Sequence, residues 1–287
     1  MQDAMHDPSL PSHSGPPSDD APTMDEVGPT GLVWIREQSA GRGRLSIEDI
    51  VTTAVAMADA AGLETVSMRR VGAELGVTGM SLYTHVTRKD DLVALMIDWV
   101  MAESIIPPEE LDIGWRDALA QIASRSYALY IEHPWVLSAL GRQALIGPNR
   151  TRYYEQIFAA VAELSLDASV LRSICVAVEL HAMGCALRGR LLDATMRTDR
   201  LTQQEWILSI EQWFGQLMAT GEFPHFAKAQ PWRVLHAAKP YQQEFLISMG
   251  WLLDGIAAGI SQGTSPGPPG GSGPDGSGPD ESLRNPG

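Results

Sequence analysis

Through the middle of the chain apolar residues recur at spacings of three and four, and nowhere is the alternation of a strand sustained. The expected fold is therefore all-α. A first helix carries Ile47, Ile50, Val51, Ala54, Val55 and Ala58 on one face, with Ser46 and Asp49 at capping-box spacing and Gly62 as a left-handed stop. A short second helix follows Ser67, buries Met68, Val71 and Leu75, and ends at Gly76. A third, Gly79 to His85, has only Leu82 and Val86 to anchor it. A fourth starts at Thr87, buries Leu92, Val93, Met96, Trp99 and Val100, and ends before Pro107-Pro108.

Further helices are expected at Trp115 to Glu132, Pro134 to Ala144, Asn149 to Leu164, Asp167 to Leu192, Thr202 to Ala219 and Tyr241 to Ser261. Pro134, Pro148 and Pro240 fall at first-turn positions, and Thr202 with Glu205 makes a second capping box. Pro224 to Lys239 reads as loop with at most a turn of helix. The ends differ from this pattern. Residues 1 to about 30 are polar and proline-rich, and 14 of the 25 residues from Gly263 to Gly287 are Gly or Pro, so both read as disordered. The expected organisation is a disordered extension over 1–40, a three-helix helix-turn-helix domain over 41–102, a larger helical ligand-binding and dimerisation domain over 103–262, and a Gly/Pro tail over 263–287.

Charge and composition narrow the function. The net charge of −14 is unfavourable for a partner of nucleic acid, yet between Arg42 and Lys89 six basic residues meet five acidic ones. The acidity lies elsewhere, so phosphate repelled by the body can still meet this segment. The only cysteines, Cys175 and Cys185, sit in a helical pattern and imply a reducing compartment rather than a disulfide framework. No basic-then-apolar leader and no window of about 20 uninterrupted apolar residues is present, so a cytoplasmic location without a membrane span is expected. Nucleophile elbow, His-Glu-x-x-His and glycine-rich phosphate loop are all missing, which argues against an enzyme and against a nucleotide cofactor.

Two short helices separated by Gly76-Val77-Thr78 have the form of a helix-turn-helix. With Leu82 and Val86 inward, Thr78, Gly79, Met80, Ser81, Tyr83, Thr84 and His85 are left outward, where small and hydrogen-bonding groups approach base edges and phosphates. A helical hairpin with a solvated face fits the same spacing. The run Ser67-Met-Arg-Arg-Val-Gly-Ala-Glu-Leu-Gly-Val-Thr-Gly-Met-Ser-Leu-Tyr-Thr-His-Val-Thr-Arg-Lys-Asp-Asp-Leu92 decides between them, because it resembles the DNA-binding domain of the TetR family of bacterial repressors. Trp251-Leu-Leu-Asp-Gly-Ile256 is similar to the last helix of the tetracycline-repressor-like branch.

The resemblance implies base contacts at Arg69, Thr78, Gly79, Met80, Ser81 and Thr84, and contacts to phosphate or the adjacent base at Tyr83, His85 and Lys89. Gly79-Met80-Ser81 departs from the tetracycline repressor, so the operator does not transfer. Arg42 and Arg44, ahead of the first helix, fit a minor-groove arm and a solvated linker about equally. The resemblance also implies a homodimer on a double-stranded DNA operator, with an interface on Asp167 to Leu192 and Tyr241 to Ser261. Val170, Ile174, Val178, Leu252, Ile256 and Ile260 are candidate contacts there, unless they face the subunit's own core.

It further implies a pocket for a small apolar or aromatic inducer, for which Tyr127, Tyr130, Trp135, His181, Met183 and Trp213 are candidates against a plain reading as core. His133 and His181 have no carboxylate or second histidine at ligand spacing, so no metal is expected. The reading is a transcriptional repressor released by an inducer; a helix-turn-helix regulator controlled by a protein partner, or acting without ligand, is the alternative.

Overall fold

The structure is a computed structural model, and it describes residues 45–139, 147–198, 202–230 and 240–261. The extension over 1–40, the Arg42–Arg44 arm and the Gly/Pro tail lie outside the described residues. Every long element among those described is an α-helix. In chain order they are α1 (Ile47–Ala61), α2 (Met68–Glu74), α3 (Gly79–Leu82), α4 (Lys89–Met101), α5 (Trp115–Glu132), α6 (Trp135–Ala139), α7 (Pro148–Ala160), α8 (Ala168–Thr198), α9 (Gln203–Met218), α10 (Pro224–Ala229) and α11 (Pro240–Ser261).

The local signals act as their chemistry requires. Ser46 Oγ accepts from Asp49 N–H at 3.0 Å while Asp49 Oδ2 accepts from Ser46 N–H at 3.0 Å, a closed capping box. Thr202 and Glu205 repeat it at the start of α9. Pro148 occupies the first turn of α7, where its missing N–H leaves no partner unmet. Gly62 ends α1 with φ 88° and ψ 157°, a positive-φ stop with extended ψ rather than the left-handed helical pair expected.

One continuous apolar core joins the amino-terminal helices to the rest. Ile50, Val51, Ala54, Val71, Leu82, Val86, Leu92 and Met96 fill the first part; Leu119, Ile122, Tyr130, Trp135, Tyr153, Ile157, Val178 and Phe245 fill the second. α5 lies against α8, and α8 against α11.

Several boundaries and one face differ from the sequence expectation. α3 is a single turn over Gly79–Leu82, because the chain leaves the helix at Tyr83 before re-entering α4. α4 begins at Lys89 with Arg88 as its cap, not at Thr87. Trp99, expected inward, is 37% exposed, and its neighbour Asp98 is buried instead. α8 runs six residues past Leu192, and Pro224–Ala229 forms α10 where loop was expected.

Ala168–Leu192 and Tyr241–Ser261 are long and apolar enough to cross a membrane by length and hydropathy, though only 33% and 17% of their most apolar windows are buried. Both helices pair with each other in the core through Val178, Phe245, Met249 and Leu253, and each keeps a bare apolar side.

Candidate nucleic-acid interface and regulatory junction

The amino-terminal helices are shaped by a pair of glycines. α2 ends in a Schellman motif: Val77 N–H donates to Gly72 O at 2.8 Å and Gly76 N–H to Ala73 O at 3.2 Å, with Gly76 at φ 69°. That turn folds α3 back across α2. A Cβ at Gly72 would lie 2.9 Å from Gly79 N, and one at Gly79 would lie 3.0 Å from Arg69 Cα. The two helix backbones therefore meet almost atom to atom, a crossing no other residue pair would permit without displacement. Leu82 and Val86, both fully buried, pin α3 from beneath.

What remains outward is polar or small. Met80 is 76% exposed and Tyr83 49%; Arg69, Thr78, Thr84 and Lys89 are exposed, while Gly79, Ser81 and His85 are half-buried. The sequence-expected contact residues thus fall on one stretch of surface. Arg69 and Lys89 form no ion pair among the described residues, whereas Arg88 is held by both oxygens of Asp91, at 2.8 and 3.3 Å. Two of the hydroxyls have a structural duty as well. Thr78 Oγ1 caps α3 by accepting from Ser81 N–H at 3.3 Å, and Thr84 Oγ1 donates to Ser81 O at 2.7 Å.

Below this surface, α4 enters the body, and its last turns are fastened to α7. Asp98 Oδ1 accepts from Arg150 N–H at 3.0 Å, Asp98 Oδ2 from Asn149 N–H at 3.2 Å, and Asn149 Nδ2 donates to Asp98 O at 3.0 Å. α4 thereby caps a helix of the body with a carboxylate, the group the positive end of a helix dipole favours. Burial is the main influence on Asp98 and raises its pKa, opposed by those amide bonds. Gln156 holds the turn after α4, donating to Ser104 O at 3.0 Å and accepting from Ile106 N–H at 3.1 Å. Arg150, buried, pairs with buried Glu179 of α8, and both reach Tyr154 Oη. None of Asp98, Gln156 or Arg150–Glu179 was singled out from sequence; polar residues on a mainly apolar helical face were the available signal.

A second tie crosses the junction. His133 Nδ1 lies 2.8 Å from Asp59 Oδ1 of α1, and its Nε2 lies 3.0 Å from Glu103 Oε2. Trp135 Nε1 donates to the same Asp59 oxygen at 2.7 Å. Burial lowers the basicity of His133, but hydrogen bonds to Asp59 and Glu103 outweigh it, so its pKa is raised.

The six inducer candidates do not gather together. Tyr127 alone of them lines a groove of about 270 Å³ between α5 and α11, with Ser124, Ile131, Gln242, Phe245 and Leu246. Tyr127 stacks on Phe245 at 4.4 Å, and His181 lies on the same ring at 6.1 Å while its Nε2 meets Ser248 Oγ at 2.8 Å. Burial lowers the pKa of His181. Tyr130 and Trp135 are fully buried core, Met183 is half-buried against that core, and Trp213 is 58% exposed on α9. Among the candidate dimer contacts, Ile174 and Val178 are buried within the subunit, so Val178 serves its own core. Ile174 also lines a groove of about 530 Å³ between α8 and α11, together with Val170, Trp251, Leu252, Ile256 and Ile260.

A glycine-crossed helix pair with a polar outward face, mounted on a helical body, defines a helix-turn-helix regulator. The model of the tetracyclin repressor-like C-terminal domain matches residues 107–260. The HTH-type transcriptional repressor DrrR1 of Streptomyces coeruleorubidus is 31% identical over 234 residues, 80% of this chain and 85% of that protein. Apo ActR from Streptomyces coelicolor superposes with a TM-score of 0.63 at 21% identity, over 78% of this chain and 100% of its own. ActR from the same organism in complex with actinorhodin gives 0.58 at 22%, over 76% and 99%. The chain belongs to the TetR family of DNA-binding transcriptional regulators.

Proposed function

We propose that the protein is a repressor that binds a palindromic operator as a homodimer through α3 and is released by a small apolar or aromatic inducer. The observation that carries this is the Gly72–Gly79 crossing, which presents Met80, Ser81, Tyr83 and Thr84 beside Arg69 and Lys89, which form no ion pair among the described residues. Arg69, Thr78, Gly79, Met80, Ser81 and Thr84 are assigned to bases, and Tyr83, His85 and Lys89 to phosphate or the adjacent base. The relative named as a repressor and the ActR complex with actinorhodin support repression and a small-molecule ligand.

The bare apolar sides of α8 and α11, with Val176, Leu180, Leu187, Leu246, Ile247 and Trp251 exposed, support a second copy as their cover. Two-fold symmetry then sets half-site centres roughly 34 to 36 Å apart. The inducer is assigned to the α5–α11 groove, where Tyr127 and Phe245 offer ring faces; its volume suits a small ring molecule at the low end of ligand sites.

Selection of bound DNA from random duplexes, followed by footprinting, tests the operator reading: an inverted repeat protected on both arms is expected, and one unrepeated half-site bound by a single chain overturns it. For the inducer, a ligand found by thermal-shift screening is titrated with and without operator. Linkage requires its affinity to fall about 5 to 150-fold when operator is bound. Equal affinities favour the regulator controlled by a protein partner.

A further inference from the structure

Glu132 closes α5, and its carboxylate forms no hydrogen bond or ion pair with the described residues. It does not stand alone. Ligand-type atoms of Glu103, Glu132 and His133 all lie within 4.8 Å of one another, with Glu103 from the turn after α4 and the other two from the end of α5. We propose that Glu103, Glu132 and His133 bind a divalent transition-metal ion of the zinc class where the DNA-binding helices meet the body, with Asp59 as the outer partner of the histidine.

The chemistry of the ring carries the argument. Asp59 Oδ1 is fixed from two sides, by Trp135 Nε1 at 2.7 Å and by His133 Nδ1 at 2.8 Å. In the neutral ring, a carboxylate accepting from Nδ1–H leaves the lone pair on Nε2, which faces Glu103, so an ion binding there takes the place of a proton. Two electron-rich atoms 3.0 Å apart need positive charge between or beside them. A proton on Nε2 supplies it for Glu103 but leaves Glu132 unused. A dication uses all three, and a carboxylate–imidazole–metal relay is the arrangement that orients metal-bound histidines.

The spacing agrees. Zinc holds nitrogen and oxygen ligands at about 2.0 to 2.2 Å, so two ligands on one ion lie about 3 to 3.6 Å apart. The His133–Glu103 separation already meets that, and the ligand atom of exposed Glu132 lies within 4.8 Å of both. Three protein ligands would leave an open position, and Glu103, with its side chain 48% exposed, leaves a way in from solvent. The charge fits too: three carboxylates around one imidazole leave an excess that a dication offsets. Glu132 also borders the α5–α11 groove, so the ion is tested in the absence of any inducer.

The full chain, stripped with chelator, is titrated calorimetrically with Zn²⁺ alone, and Co²⁺ is added separately to read its visible bands. Saturable binding of one ion per protomer and a cobalt spectrum of low coordination number are expected. Glu132→Gln should weaken zinc binding by about ten-fold or more, and Asp59→Asn by about 10 to 100-fold. Because the exposed carboxylate of Glu132 forms no hydrogen bond or ion pair with the described residues, Glu132→Gln should leave the melting temperature of the stripped, inducer-free protein unchanged, which separates ligand loss from misfolding. Absence of saturable one-to-one binding, or binding that Glu132→Gln leaves intact, overturns the proposal.

Discussion

The DNA-binding helices and the body leave opposite kinds of surface unmet. Around α3 the bare groups are polar: Arg69 and Lys89 have no acidic partner among the described residues, and hydroxyls and a phenol stand beside them. Along α8 and α11 they are apolar, culminating in Trp251 at 71% exposure. Charge follows the reverse order. The body buries the Arg150–Glu179 pair and sets the amides of Asn149 and Arg150 on the buried Asp98 carboxylate of α4, while Arg69 and Lys89 near α3 stay in water. A charge left in water is cheap to keep and ready for phosphate. A buried one is costly, and it persists only where it fixes geometry.

The contrast is broken most severely inside the body. Glu179→Gln strands Arg150 as an unpaired buried charge, and a loss of about 3 to 5 kcal/mol is expected in denaturant unfolding. Arg150→Met combined with Glu179→Leu should recover most of that loss, since no charge is then left unmet. Recovery failing altogether would mean that the pair specifies packing that apolar residues cannot replace.

Next comes the glycine crossing. Gly72→Ala gains up to about 1 kcal/mol of helix propensity, but its methyl meets backbone at 2.9 Å, and overpacking costs about 1 to 3 kcal/mol. The net effect on unfolding is small. α3 must shift, so operator affinity should collapse in a mobility-shift assay while helical content holds. Asp98→Ala should do the opposite: about 1 to 2 kcal/mol of stability lost with the cap, and operator preference unchanged in a selection experiment.

The smallest effect sharpens the polar side. Lys89→Ala should leave the melting temperature alone, weaken all duplexes about equally, and reduce the salt slope by about 1. Ser81→Ala should instead change which bases are selected. An unchanged salt slope for Lys89→Ala would remove that residue from the phosphate contacts.

Legibility from sequence divides along the same line. Features made by residues a few positions apart were readable: the Ser46–Asp49 and Thr202–Glu205 boxes, the Gly76 turn, and the Leu82 and Val86 anchors. Features made by residues far apart were not. Helical period put Trp99 inward, but Asp98 is the residue drawn in, because the amides it caps come from Asn149 and Arg150. Spacing likewise gave His133 no carboxylate partner, since Asp59 and Glu103 are brought to it only by tertiary packing. Aromatic content pointed to a pocket, yet composition does not tell a ring in the core, such as Trp135, from one at a groove, such as Tyr127.

Fastening α4 at its far end makes it a lever with its pivot in the body. The helix spans 13 residues, about 20 Å at 1.5 Å per residue, and Lys89 stands roughly 13 Å from the clamp at Asp98. A rotation of α7 by about 10° would carry Lys89 by roughly 2 Å through that arm. Leu92 and Met96 seat α4 in the same core as α1 and α3, so the whole reading surface travels with it. Hydrogen bonds to DNA do not survive stretching much beyond about 3.5 Å. On the inducer-release reading proposed above, a displacement that would be trivial in the middle of the body would be large enough, at the tip of this arm, to break contacts with DNA.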